Sequence, residues 1–595
     1  MDKTKVIQRW ALILLVNSIF IFCCSPLVSA QEEVVISNSA NWEDVYSALL
    51  YANLLGKTGY FLTSTPHGPI LLFEITQGSN IQVISSADRP YYVGYEALIR
   101  SKGYATVEEL IFDSSNLELA RRLPNINKFI VLDSSYGYNA LSVAPYAAKA
   151  KYYVLFADRI NIGDVTGFLS GKNVEKIILY GRVDREVRAA LAQYNPEIIS
   201  SANGSRFEDN MVIVDKYAEL AGAKQVILTN GEFIEASMMS GKEPLLFIGR
   251  NNVPDEVQKY IKDRGIEIGV LIGNELIGSA TTIRRQLGIS VFVKFARGSR
   301  IPGGTINPVE DLDRFPMPSY QLNLSIVSIS YNKATGVLEV TYTNNVDLAT
   351  YFKSTITIRN ANGETLAVVG DKDVIFIDGR ETKTVVYTVD LSEAERAGSL
   401  DNLTGEIYTI YGESKTSLEN ALRGTFKIEM ITVMDDTDIE IIDLVYDKGS
   451  GKFLITVENT GTSDAYVSLE IIDLWVNDGY LTVASDGVEK IAPGKRKVIT
   501  IEVDLADEDL QNEKNAKITV HAVYGARKYA LVKSKYKDFE LKFKEAFIWW
   551  YIPVIIIIIL LLILFFMRRR KQCPRCRTMN KRSAKHCKKC RHEFK

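Results

Sequence analysis

Val226-Ile227-Leu228-Thr229-Asn230-Gly231 is a short β-branched run that ends in small polar residues, and its form occurs twice more. Val34-Val35-Ile36-Ser37-Asn38 and Ile130-Val131-Leu132-Asp133-Ser134 start at 34 and 130, so the three starts are 96 residues apart. A helical pattern follows each run: Asn41 to Gly56, with Val45, Leu49, Leu50 and Leu54 on one stripe, then Tyr138 to Ala150 and Phe233 to Ser240. Second strands come next, at Gly59–Leu62, Tyr152–Phe156 and Pro244–Ile248. The second and third units add a third strand ending in glycine, Lys176–Gly181 and Ile268–Gly273, and the first unit shows none. Continuous apolar strands that alternate with helices predict parallel sheets covered on both faces. Ile84-Ser85-Ser86-Ala87-Asp88-Arg89 is echoed by Ile199-Ser200-Ser201-Ala202-Asn203 with Arg206 shortly after, each before a helical segment.

This succession resembles the cell-wall-binding repeat type 2, found three in tandem in prokaryotic surface proteins. The resemblance covers roughly residues 34–300, is best from Val226 to Gly273, fits well from Phe129 to Leu191, and is weakest in the first unit. It implies a pseudo-threefold α/β assembly that attaches surface proteins to anionic wall polymers, and a prokaryotic source. Ser85, Ser86, Asp88, Arg89, Ser200, Ser201, Asn203 and Arg206 are the candidate ligand-binding residues. Parallel sheets bind ligands at the carboxyl ends of their strands, but turns and helix caps use the same residue types. Arg89, Arg206, Arg297 and Arg300 either line a basic groove for the polymer or form ion pairs that close the repeat interfaces.

After a Pro- and Gly-containing stretch, read as a linker over 301–319, strict alternation takes over. Val337–Thr343 and Phe453–Asn459 have the period of half-buried strands, and each follows a polar turn. Both are followed by an Asn-containing turn, a strand ending Val-Asp-Leu, and a strand containing Tyr-Gly (Tyr411-Gly412 and Tyr524-Gly525). Two tandem β-sandwiches are expected, at 320–432 and 436–540, and they look like the Ig-like modules of prokaryotic surface proteins that serve as spacers. Three sequons start at Asn203, Asn323 and Asn402.

The six cysteines divide the chain by compartment. Cys23 and Cys24 lie in an apolar leader; Cys573, Cys576, Cys587 and Cys590 lie near the end; the body between has none. Residues 1–30 read as a signal peptide, with Lys3, Lys5 and Arg9 before an apolar run and Val28-Ser29-Ala30 for cleavage, the alternative being an uncleaved anchor. Ala546 to Met567 is long enough to span a bilayer, has Trp549, Trp550 and Tyr551 at one end, and is followed by Arg568, Arg569, Arg570 and Lys571. Positive residues stay inside, so the sequence predicts a single-pass cell-membrane protein with its N-terminal part outside and residues 568–595 in the cytoplasm. The tail holds 13 Lys or Arg and one acid, formally +12, and residues 1–30 carry +2, which leaves −16 for residues 31–567 of a chain whose total is −2.

Two Cys-x2-Cys knuckles ten residues apart predict a structural Zn2+ site of Cys573, Cys576, Cys587 and Cys590. Similar ribbons have glycine just after the second cysteine of each knuckle, where this chain has Arg577 and Arg591. The basic surplus points to anionic lipid or a protein partner, and no specific nucleic acid is predicted. Between the leader and the tail the only histidines are His67 and His521, and no P-loop or dinucleotide fingerprint is present. The expected fold class is multidomain: an α/β threefold repeat domain (31–300), two all-β sandwiches, one transmembrane helix and a small four-cysteine zinc ribbon. The expected role is non-catalytic binding or organisation of an envelope polymer or surface protein. The alternatives are a surface α/β enzyme acting on glycan or peptide, and a receptor signalling through the tail.

Overall fold

The computed structural model describes residues 32–294, 312–319, 321–396, 398, 400–544, 556–562, 565 and 570–595. The leader, Arg297 and Arg300, most of the expected linker, and most of Ala546–Met567 lie outside the described residues. Residues 556–562 are helical, and no helix among the described residues is long and apolar enough to cross a membrane. Two units divide the chain: Met1–Asp436 with Trp475–Thr482 and Gly525–Lys533, and Thr437–Leu474 with Val483–Tyr524 and Ser534–Lys595.

The first unit begins with three four-stranded parallel sheets. The first sheet comprises β1 (Glu33–Asn38), β2 (Thr58–Phe61), β3 (Asn80–Ser86) and β4 (Val107–Phe112). The second comprises β5 (Lys128–Leu132), β6 (Tyr153–Phe156), β7 (Lys176–Tyr180) and β8 (Glu197–Ile199). In the third, β9 (Gln225–Thr229) precedes a two-residue strand, β10 (Phe233–Ile234), then β11 (Leu245–Phe247), β12 (Ile268–Ile272) and β13 (Ser290–Lys294) complete the sheet. The orders are β2-β1-β3-β4, β6-β5-β7-β8 and β11-β9-β12-β13, the same path three times. Each central strand is apolar on both faces, as Phe129, Ile130, Val131 and Leu132 of β5 show by their full burial.

The first unit also has a third strand, β3, which contains Ile84-Ser85-Ser86 and, as expected, does not end in glycine. Three other expectations need correction. Ile199-Ser200-Ser201 instead follows the fourth strand of its sheet, so the two serine elements are not equivalent. A β-branched strand ending in small polar residues writes the same short string at either place. The helix expected over Phe233–Ser240 is strand β10 and a single turn, Ala236–Met239, because Phe233 and Ile234 pair with β14 (Phe315–Pro316). That pairing also removes residues 315–318 from the linker. Phe315 packs edge-on against Phe61 at 6.0 Å, Met317 N–H donates to Glu232 O, and Gly137 N–H donates to Pro318 O. A Cβ on Gly137 would lie 2.5 Å from Met317 Sδ, so the glycine makes room for the returning strand.

The first β-sandwich has one sheet in the order Thr382–Thr388, Val337–Asn344, Leu324–Asn332, Glu429–Ile431. Its other main path is Thr365–Gly370, Thr350–Arg359, Thr404–Gly412, Asn420–Lys427. The second β module repeats every pairing: Arg496–Glu502, Lys452–Asn459, Ile439–Asp447, Phe543–Lys544, and Gly479–Ala484, Ala465–Val476, Lys517–Gly525, Lys533–Glu540. Even the β-bulge recurs, between Ile326 and Ser328 and between Ile441 and Asp443. The Asn in each turn is buried: Asn344 donates to Leu348 O and Asp378 O, and Asn459 to Ser463 O and Ile491 O.

Candidate functional site

The joints between the parallel sheets are built by a repeated asparagine. Asn116, on the helix Ser115–Arg121, donates to Val154 O and Ser47 Oγ and accepts from Phe156 N–H. Asn210, on the helix Arg206–Ala221, donates to Leu245 O and Ser142 Oγ and accepts from Phe247 N–H. Each asparagine thus holds the second strand of the following sheet and a serine of the preceding sheet's first helix. Sequence reading missed both: Asn116 is the second residue of its helix and Asn210 the fifth, so no shared spacing marks them in the sequence. Asn210 is 0 % exposed. Asn210→Ala leaves Leu245 O and Phe247 N–H without partners, an expected cost of about 2–4 kcal/mol. A matching drop in the thermal midpoint of the first unit checks it.

Clefts open beside these joints. The first, about 630 Å3, lies between the first and second sheets and includes Glu43, Asp113, Asn116, Phe156 and Asp164. The second, about 90 Å3, includes Tyr138, Arg206, Asn230, Glu232 and Glu419. Both side-chain atoms of Asn230 are buried there without a hydrogen bond among the described residues. Its counterpart Asn38 is fully used: it donates to Ser85 Oγ and Tyr92 O and accepts from Tyr92 N–H. The third, about 520 Å3, lies between the third and first sheets and is lined by Tyr60, Phe61, His67, Glu235 and Lys294 among others. Here Glu235 is buried, paired with Lys294 and 3.7 Å from Arg314, and burial raises its carboxyl above the usual range despite both cations.

The candidate ligand residues fall in two separate groups, on different sheets. Ser85 is buried and donates to Glu109. Ser86 donates to Asp88, whose carboxylate is 3.4 Å from the exposed Arg89. In the second group Ser201 Oγ accepts from Ser205 N–H, and Ser205 Oγ caps the following helix by accepting from Glu208 N–H. Ser200 is half-buried and Asn203 exposed. Ser86, Ser201 and Ser205 are therefore engaged in turns and caps, and Ser85 bridges the neighbouring strands through Asn38 and Glu109.

Arg206 is 8 % exposed and is not a groove cation. It pairs with Glu413 at 3.3 Å and Glu419 at 3.8 Å, both from the hairpin that follows Tyr411-Gly412, and its guanidinium lies 4.8 Å from the centre of the Tyr138 ring. Burial and the Glu413 charge push Glu419 up to about 8, and burial raises Glu413 as well. One cation among two buried acids keeps one acid protonated at neutral pH, which spares the site a net charge. The ion-pair reading of this arginine is correct, but its partners belong to the first sandwich rather than to another repeat.

In the tail, Cys573, Cys576, Cys587 and Cys590 place their four Sγ atoms within 4.8 Å of one another. Two of the separations are 3.5 Å, close to the roughly 3.8 Å edge of a zinc tetrahedron with 2.3 Å Zn–S bonds. The donor set therefore fits Zn2+. Both knuckles close alike: Arg577 N–H donates to Cys573 O and Cys573 N–H to Thr578 O, while Arg591 N–H donates to Cys587 O and Cys587 N–H to His592 O. Arg577 and Arg591 have φ of 55° and 53°, the left-handed region that favours glycine. Arg577→Gly is expected to relieve about 1 kcal/mol, read as roughly fivefold tighter zinc binding in a competition titration.

No family model matches the chain, and no curated protein matches it significantly. Solved structures were found at low similarity. The periplasmic chaperone SfaE is 14 % identical over 38 % of this chain and 100 % of its own, with a TM-score of 0.13. Red sea bream transglutaminase is 9 % identical over 38 % of this chain and 32 % of its own, with a TM-score of 0.14. The Salmonella enterica SafA pilin–SafB chaperone structure gives 10 %, 38 %, 97 % and 0.13. Scores this low transfer neither fold nor function to this chain.

Proposed function

We propose that this chain is a non-catalytic, single-pass cell-surface protein. Its three-sheet domain binds or organises an envelope component, its two β modules act as a spacer, and its zinc ribbon and basic tail lie inside. The observation that carries the reading is the threefold recurrence of one parallel-sheet path, joined twice by the same asparagine clamp. That recurrence supports the resemblance to cell-wall-binding repeats. The basic tail against an acidic exterior supports the orientation. Arg206 takes no part in binding in this proposal, because it is committed to Glu413 and Glu419. The test is sedimentation of purified residues 31–540 with isolated envelope across a salt series. Saturable binding is expected; no binding at any salt rejects attachment.

A further inference from the structure

The four-cysteine ribbon carries much of its charge on the two loops that hold the thiols. Residues 570–595 contain 11 Lys or Arg and one acidic side chain, Glu593. Arg575, Arg577, Lys588, Lys589 and Arg591 lie within or directly after the two Cys-x2-Cys knuckles, and all five are exposed. Among the described residues none of the five pairs with a carboxylate, and Glu593 lies 4.0 Å from His586 instead. Arg577 and Arg591 occupy the same place in their knuckles, directly after Cys576 and Cys590. Both have the left-handed φ that costs an arginine stability and a glycine almost none. Among the described residues no contact of either guanidinium within the ribbon offsets that cost. The ribbon is also closely tethered: its first strand opens at Arg570, three residues beyond Met567. Three residues reach at most about 11 Å, close to the screening length of about 8 Å at physiological salt. With Ala546–Met567 in a bilayer, the ribbon stays within the field of the lipid headgroups.

We propose that the two knuckles form a docking surface for anionic phospholipid headgroups, with Arg577 and Arg591 as the phosphate anchors. The proposal rests on the single-pass reading and names the partner of the tail. A guanidinium presents a planar fork of donors that matches a phosphate in two bonds. Both arginines follow ligands of one four-sulfur cluster, so the folded ribbon presents them at a fixed separation. A cytoplasmic leaflet supplies anionic headgroups, and basic residues held at its surface act together. Nucleic acid matches the surface less well. Single strands are held by stacking on aromatic side chains. The segment's one Phe, Tyr or Trp is Phe594, which is half-buried with Lys571 Nζ 4.2 Å from its ring centre.

The test is hydrogen–deuterium exchange of the purified, zinc-loaded full chain in lipid nanodiscs, of phosphatidylcholine alone or mixed with phosphatidylglycerol. Exchange across 573–577 and 587–591 is expected to be about threefold slower or more in the anionic discs, and the difference to vanish in high salt. Arg577→Gly combined with Arg591→Gly abolishes the difference while zinc stays bound, because glycine suits both turns. Lys581→Gln combined with Arg582→Gln removes the same charge between the knuckles and leaves most of the slowing. Equal exchange in the two discs, or equal loss in the two double variants, overturns the proposal. Loss of the slowing on adding duplex DNA also overturns it and assigns the surface to nucleic acid. A chain that inserts into discs with its ribbon unprotected rejects the docking alone. A chain that does not insert rejects the single-pass reading, and the docking with it.

Discussion

Cys587→Ser, or chelation of zinc, is expected to unfold residues 570–595 completely while the α/β domain and both β modules keep their thermal transitions. The tail has almost no core: its buried residues are Cys573, Cys587 and Asn580, and its two strands are three residues each. Segments of that kind fold on metal, with apparent binding free energies of about 10–16 kcal/mol. Asn580 belongs to the site rather than to a core, because it donates to Cys587 Sγ at 3.5 Å and accepts from Lys588 N–H. His586 and His592 stand outside the four-sulfur cluster and do not replace the lost thiolate in this scheme. The measurement is the amide NMR spectrum of the tail before and after chelation. Amide dispersion that persists after chelation rules the metal-folded tail out.

Arg206→Ala is expected to destabilise the first unit by about 3–5 kcal/mol, the cost of leaving one side of a buried ion pair uncompensated. Glu413 and Glu419 then share a buried site without the guanidinium that favoured their charged forms, which raises both carboxyls further. Arg206→Lys rescues only in part, since one ammonium does not reproduce the planar fork or the guanidinium contact with Tyr138. The wild-type site has a pH dependence of definite sign. Glu419 is raised from 4.5 to about 8 in the folded chain, so its folded state holds a proton that the unfolded chain releases earlier. Its contribution is fully present below pH 4.5 and is lost as pH rises towards and through about 8. Urea unfolding of the first unit at pH 6 and pH 9, on wild type and Glu419→Gln, checks this. A wild-type midpoint that does not fall with pH, or one that falls equally in Glu419→Gln, refutes the assignment.

Much of the architecture was legible because it is local. The β-branched runs at Val34, Ile130 and Val226 became β1, β5 and β9, and the alternating run at Val337 became the strand Val337–Asn344. The two Cys-x2-Cys spacings led directly to the four-sulfur cluster. The serine echo misled because a string of four or five residues records strand end and turn, not which strand of the sheet it ends. Phe315 and Met317 sat in a stretch whose prolines read as a linker, yet their side chains complete the α/β core.

The chain's local order therefore determined most of its strands, its repeats and the four-cysteine cluster, since backbone preference and side-chain period act over a few residues. Tertiary structure decided the rest. It set Arg206 against Glu413 and Glu419, and brought Asn210 under Leu245 and Phe247. These partners are far apart in sequence and exchange hydrogen bonds or charge only after packing has removed water from between them. Desolvation gives those contacts their strength, and desolvation depends on which faces meet.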